Sequence, residues 1–342
     1  MKNNRILWSL ALVTAFLLIT FFAFRIASSR AQTALVEQFP PPGELVNMDG
    51  YALHLNCVGE GTPTVLMEAG LGEYSLTWTA VQPEITSVTR VCTYDRAGYG
   101  WSDPGPTPRD AAAIIADLQT LLDRTNETGP FVLVGHSYGG MLMRLFAAEN
   151  PDLTAGVVLV DSSHPDQTAR FPALYQEAEA QLLTDLADQY VLPKFYANIG
   201  LLPLIVDRLA TNNTLPEAAR EPTRALLASD TDYYDTMLDE VRILSQSIEQ
   251  VRAAGNPFAD SPLIVLAAGR ADEPYPEVGL TEEIVLGKQA VWLELQAELA
   301  ALSVDSELIV IEDSGHYIQY EQPEIVVDAI IRMVNRVQQR GE

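Results

Sequence analysis

Phe131-Val132-Leu133-Val134-Gly135-His136-Ser137-Tyr138-Gly139-Gly140 is an apolar strand signal that runs directly into a Gly-x-Ser-x-Gly turn at 135–139. A helical stretch from Met141 to Glu149 follows at once. A serine on a tight strand-to-helix turn is lifted out of the packed sheet, and its hydroxyl is exposed as a nucleophile. The flanking glycines, Gly135 and Gly139, give the backbone room to double back. The stretch therefore predicts geometry as well as composition, and it points to covalent chemistry at Ser137.

Outward from this turn, strand and helix signals alternate. Strands are expected at Tyr51–Val58, Thr64–Glu68, Arg90–Tyr94, 131–134, Gly156–Val160, Leu263–Ala267 and Glu307–Ile311. Helices are expected at Ala111–Arg124, at 138–149, at Gly287–Leu302 and from Pro323 to about Val337. Alternating β and α predicts an α/β fold with a mostly parallel sheet covered by helices on both faces. Between Ser162 and Pro262 the strand signal vanishes, and amphipathic helices are expected at Ala173–Tyr190, Tyr196–Leu209, Pro216–Ser229 and Tyr233–Ala253. Such an insertion reads as a cap over the carboxyl edge of the sheet. The cap tyrosines, Tyr175, Tyr190, Tyr196, Tyr233 and Tyr234, stand at helical spacing and read as packing residues before pocket residues.

The amino terminus is a separate element. Ile6–Phe24 is nineteen residues without a charge, bounded by Arg5 and Arg25. As a helix it spans roughly 28 Å, close to the hydrocarbon core of a bilayer. Its length favours an uncleaved anchor over a cleaved signal peptide, whose apolar region is usually shorter. Lys2 and Arg5 favour a cytoplasmic amino terminus with the body outside, while Arg25 and Arg30 oppose it. The domain reading is thus an anchor or signal segment at 1–30, a linker at 31–44, a core at 45–162 and 259–342, and a helical cap at 163–258.

The 342 residues are 48% hydrophobic, ample for a buried core, and carry a formal charge of −25. That charge excludes nucleic acid as an expected partner, because phosphate binding needs a basic patch. No metal-binding, P-loop or dinucleotide fingerprint is present, so neither a metal nor a cofactor is expected. Cys57 and Cys92 read either as small buried hydrophobes or as one disulfide, the latter permitted outside the cytoplasm.

A serine hydroxyl needs a base, and the base needs an orienting acid. Of four histidines, His54 lies in an early strand, His136 should point away from the pocket, and His164 follows a strand. His316 follows the last strand in Ser314-Gly315-His316, where a movable base belongs, and is the choice.

The chain resembles the α/β-hydrolase fold superfamily, in its capped, esterase-like branch, over roughly residues 45–338. The resemblance rests on Gly-His-Ser-Tyr-Gly at 135–139, on Asp95-Arg96-Ala97-Gly98-Tyr99-Gly100-Trp101-Ser102, on Ser314-Gly315-His316, and on the order Ser, acid, His. It implies an acyl-enzyme route on a carboxylic ester, a small-molecule substrate. Acyl transfer, or amide and peptide cleavage, uses the same triad and stays open, as does a non-catalytic binding module. For the acid, Asp272 in Gly269-Arg270-Ala271-Asp272 fits the position many members use, and Asp161 after Val160 fits the position others use. Asp272 is favoured, with Asp161 the alternative. Ala69-Gly70-Leu71 stands where members carry His-Gly-x, which makes the Leu71 and Tyr138 N–H groups the expected oxyanion donors. The resemblance also places the strands bearing Cys57 and Cys92 side by side, which favours the disulfide. Relatives that open epoxides or cleave carbon–halogen bonds use an aspartate nucleophile, and Ser137 argues against both activities.

Overall fold

The computed structural model describes residues 2–181, 194–196, 201, 215–229 and 232–341. Eight strands form one sheet: β1 Glu44–Asn47, β2 Ala52–Val58, β3 Thr64–Glu68, β4 Val91–Tyr94, β5 Phe131–His136, β6 Thr154–Val160, β7 Leu263–Ala268 and β8 Ser306–Ile311. Their spatial order is β1-β2-β4-β3-β5-β6-β7-β8. The two pairings made by β2 are antiparallel and every other pairing is parallel.

The central strands read as continuous apolar runs because both faces are covered. Leu66, Leu133, Leu159 and Val265 pack on one side with Leu118, Leu142 and Phe146 from the helices Ala111–Thr125 and Tyr138–Glu149. Val65, Val134, Val158 and Ile264 pack on the other with Ile85, Ile330 and Met333, the last two from the helix Pro323–Gly341. Each buried aliphatic side chain contributes roughly 1.5–3 kcal/mol of transfer free energy, so this two-sided core dominates stability.

Most predicted elements differ only at their ends. Strand β1 was not foreseen: it is short and edge-placed, and only Val46 of its four residues is buried. It begins inside the expected linker. That linker is shorter still, because the amino-terminal helix runs without a break over Lys2–Val36. Its stretch Trp8–Val36 holds an apolar window of mean hydropathy 2.3 with no burial, and is long and apolar enough to cross a membrane. At about 1.5 Å per residue the whole helix measures roughly 52 Å, more than a bilayer core needs. The surplus is the polar end, which packs against the helix Glu217–Ser229, where Gln32 donates to the Ala228 carbonyl at 3.3 Å.

Within 163–258 the described residues hold no strand. They are helical at Gln167–Arg170, 173–181, Glu217–Ser229, Asp232–Arg242 and Leu244–Ala253. The expected helix Ala173–Tyr190 is observed to residue 181, and its remainder, with Tyr190, lies outside the described residues. So does nearly all of the expected helix Tyr196–Leu209.

Cys57 and Cys92 face each other across β2 and β4 and form a disulfide, their Cα atoms 4.0 Å apart. Closing a loop of this sequence separation, 35 residues, removes unfolded-state entropy equivalent to about 4 kcal/mol.

Candidate active site

Three parallel strands end in the residues that meet. Ser137 follows β5 directly, Asp161 follows β6 directly, and His316 lies in the loop after β8. In open α/β sheets the carboxyl ends of the strands are where ligands bind. Ser137 sits at φ 51°, ψ −122°, in the left-handed region that non-glycine residues rarely occupy. The turn tolerates this because nothing beside it intrudes. A Cβ on Gly135 would lie 2.6 Å from the Gly139 carbonyl oxygen, and one on Gly139 would lie 2.5 Å from that of Ala69.

His316 Nε2 stands 3.0 Å from Ser137 Oγ, and His316 Nδ1 stands 2.6 Å from Asp161 Oδ2. A carboxylate at Nδ1 sets the tautomer that carries its proton there, leaving Nε2 free to accept from the serine hydroxyl. Asp161 is buried, also at positive φ, and its other oxygen accepts from the Ala268 N–H and the Trp292 indole N–H, both at 2.8 Å. These two donors fix the carboxylate plane toward His316.

Asp272, the acid the sequence favours, is not at His316. It lies four residues past the end of β7, and its Oδ2 accepts from Lys288 Nζ and from the Tyr175 hydroxyl, each at 2.9 Å. Lys288 in turn lies over the rings of Phe171, Tyr175 and Trp292. Burial pushes the Asp272 carboxyl up, but the Lys288 charge and the hydrogen bonds of Lys288 and Tyr175 outweigh it and hold the group below its ordinary range. The reason for the difference is sheet geometry. Asp161 is tied to β7 through its N–H to the Leu266 carbonyl, one strand from Ser137, while Asp272 has left the sheet and meets Lys288 and Tyr175.

Leu71 and Tyr138 line the same cavity as Ser137, of about 240 Å³. Tyr138 opens its helix, where backbone N–H groups have no helical partner. The loop carrying Leu71 is fixed from below. Arg96 donates to the carbonyls of Ala69 at 3.0 Å and Gly70 at 2.8 Å, to Glu68 at 2.7 Å and to Glu240 of the helix Asp232–Arg242 at 3.1 Å. Arg96, Glu68 and Glu240 are all buried. The Tyr94 hydroxyl also donates to Glu68. A larger crevice, about 720 Å³, lies apart from Ser137 between the amino-terminal helix and Trp101.

His136 and Glu73 form a second buried pair, whose role the sequence reading did not reach. His136 does point away from the cavity. Its Nδ1 meets Glu73 Oε2 at 2.8 Å and its Nε2 meets the backbone carbonyl of His316 at 3.0 Å. Both partners are acceptors, and a neutral imidazole has one N–H, so both contacts are made only by the imidazolium. Burial lowers the His136 pKa, but the Glu73 charge, its hydrogen bond and the His316 carbonyl outweigh that and hold it above the ordinary 6.5. For Glu73, burial acts upward, and the His136 charge and hydrogen bonds from His136 and Gly70 hold the net pKa below 4.5. A raised His pKa contributes stability that is fully present below 6.5 and is lost as pH climbs through the folded value. The lowered Glu73 value contributes above 4.5 and is lost in acid. Thermal melts of Glu73→Gln and the unmodified protein should therefore differ most between pH 4.5 and 6.5, and the gap should narrow as pH rises from there through the folded value of His136. A gap that widens across that range would refute the charged pair.

The other histidines are engaged elsewhere. His54 bridges Asp95 at 2.8 Å and the Gly43 N–H at 3.2 Å, and the His164 ring accepts from the Asp166 N–H. Among the described residues, the one group of acids, thiols and imidazoles close enough to share an ion is Cys57, Cys92 and Glu127, whose two sulfurs are bonded to each other. Of the tyrosines within 163–258, Tyr233 lines a second chamber that shares Leu71 with the Ser137 cavity, while Tyr234 is core.

Residues 65–329 match the model of the Alpha/beta hydrolase family. The chain is similar to the uncharacterized protein YqjL of Bacillus subtilis, 25% identical over 284 residues, 83% of this chain and 88% of the relative. It is similar to epoxide hydrolase 4 of Mus musculus, 24% identical over 81% of this chain and 74% of the relative. Among solved structures it resembles a haloalkane dehalogenase DbeA variant from Bradyrhizobium elkanii, with a TM-score of 0.66 at 18% identity over 87% of this chain and 97% of that one. At that identity the likeness concerns the fold.

Proposed function

The chain belongs to the alpha/beta hydrolase family, and from that premise we propose that it is a membrane-anchored serine hydrolase that cleaves a small or medium carboxylic ester. The supporting observation is the unbroken hydrogen-bond line from Ser137 Oγ through His316 to Asp161. Ser137 Oγ attacks the ester carbonyl while His316 Nε2 takes its proton, and Asp161 holds the imidazolium that forms. The Leu71 and Tyr138 N–H groups receive the developing oxyanion, the latter aided by its helix dipole. His316 then returns the proton to the leaving alcohol. Water, deprotonated by His316, frees the acid from Ser137.

The hydroxyl nucleophile separates this reading from the chemistry named for the relatives. Attack by serine on an alkyl halide or an epoxide would leave an ether on Ser137, which water does not hydrolyse. Attack on an acyl group leaves an ester, which it does. The helix Lys2–Val36 anchors the enzyme, with the amino-terminal Lys2 and Arg5 on the cytoplasmic side and the body outside, where the Cys57–Cys92 bond is stable.

A fluorophosphonate probe tests the proposal. The detergent-solubilised full chain should be labelled once, at Ser137, with loss of esterase activity in parallel. Absence of labelling at Ser137 in folded protein would refute the nucleophile and the acyl-enzyme route together.

A further inference from the structure

The cavity that holds Ser137 has two unlike sides. Met141, Leu244 and Ile248 make one side apolar, and Gln167, Thr168 and Glu179 make another polar. The polar groups are not equivalent. Gln167 Oε1 already accepts from the His164 N–H at 2.9 Å. Glu179, on the cap helix at 173–181, instead holds its Oε2 in a buried position with no hydrogen-bond partner. Thr168 offers its carboxyl group one side-chain hydrogen bond, which leaves Oε2 unserved, and Lys288 acts on it only through its field, because the Lys288 ammonium is committed to Asp272 at 2.9 Å. Among the described residues Glu179 makes no ion pair. Burial accordingly pushes its carboxyl up from the ordinary value, against the smaller opposing effects of Thr168 and Lys288.

An acid oxygen buried without a partner costs about 1–3 kcal/mol, more if charged, unless a ligand supplies the donor. The neighbouring nucleophile says where that ligand sits. We propose that Glu179 is a specificity-determining residue that binds an ammonium group on the substrate, so that the enzyme acts on esters carrying a primary amine a few bonds from the scissile carbonyl. The assignment rests on the hydrolase reading of the Ser137 site. An ammonium answers both deficits at once, donating hydrogen bonds to Oε2 and neutralising the buried charge. The formal charge of −25 favours its approach, since a negative field raises the local concentration of cations. The apolar side receives the methylenes that join amine to ester.

Isosteric ester pairs test this on the full chain in detergent, slightly below neutral pH, where the amines are protonated. In the acyl half, p-nitrophenyl esters of glycine, β-alanine and γ-aminobutyric acid are compared with those of propionic, butyric and valeric acid. In the alcohol half, the butyryl ester of ethanolamine is compared with that of propanol. At least one pair should favour the amine by about tenfold or more in kcat/KM, and Glu179→Gln should cut that ratio at least about fivefold. Ratios at or below one in every pair of the unmodified enzyme would overturn the proposal, whether or not the variant folds. A ratio unchanged by Glu179→Gln would also overturn it, since a merely structural residue lowers both members of a pair together. Equal preference for the β-hydroxypropionyl ester would assign the site to a neutral donor and overturn the ammonium. Fluorophosphonate labelling of Ser137, run in parallel, distinguishes these failures from failure of the hydrolase reading itself.

Discussion

Asp161→Asn should lower kcat by about 10⁴-fold with KM little changed, because an asparagine amide at Nδ1 favours the wrong tautomer of His316. Asp161 gives His316 its contact at 2.6 Å and is itself held by the Ala268 and Trp292 N–H groups. An asparagine can keep those two bonds with its carbonyl oxygen, yet it then turns an NH₂ toward Nδ1. The imidazole answers by carrying its proton on Nε2, where it can no longer accept from Ser137. Asp272→Asn should cost no more than about fivefold, the ~1 kcal/mol of a partly exposed ion pair, through its contacts with Lys288 and Tyr175. Steady-state kinetics on both variants decides. Equal losses, or the larger loss in Asp272→Asn, would mean that the acid has been misassigned.

Arg96→Met should destabilise the fold by about 3–5 kcal/mol, because it strips the counter-charge that two buried carboxylates share among the described residues and leaves them unpaired. Arg96 binds Glu68 at 2.7 Å and Glu240 at 3.1 Å, all three side chains being about 1% exposed or less. Burial already pushes the Glu68 carboxyl up, and the Arg96 charge is the chief effect opposing it. Methionine fills the volume but frees the carbonyls of Ala69 and Gly70, so the Leu71 loop and the helix Asp232–Arg242 should loosen together. Denaturant unfolding of the full chain measures the stability loss. Adding Glu240→Gln to the variant removes one buried charge and should recover part of it. A loss below about 1 kcal/mol would show that the cluster is not the buried ion network described.

Much of the fold was legible in the chain because its signals are local. The strand β5 and its turn declare themselves by an apolar run followed by glycines at fixed spacing. The two-sided burial of β3, β5, β6 and β7 appears in sequence as unbroken aliphatic stretches. Strand β1 escaped notice because an exposed edge strand of four residues carries almost no pattern. The continuation of the first helix through Val36 escaped for a related reason, since its polar end is stabilised by the helix Glu217–Ser229, far along the chain.

The sequence by itself determined the α/β alternation, the apolar helix at the amino terminus, the serine turn at 135–139 and the histidine after the last strand. Each is encoded in neighbouring residues, whose spacing is read directly against the period of a strand or a helix. Only the tertiary structure decided which aspartate faces His316, because Asp161 and Asp272 both follow strands and differ in where the sheet carries them. It alone brought Glu73 to His136, Glu240 to Arg96 and Glu179 to the Ser137 cavity. Those contacts join residues 63 and 144 positions apart in the first two cases, and no local pattern records a pairing that exists only once distant elements have packed together.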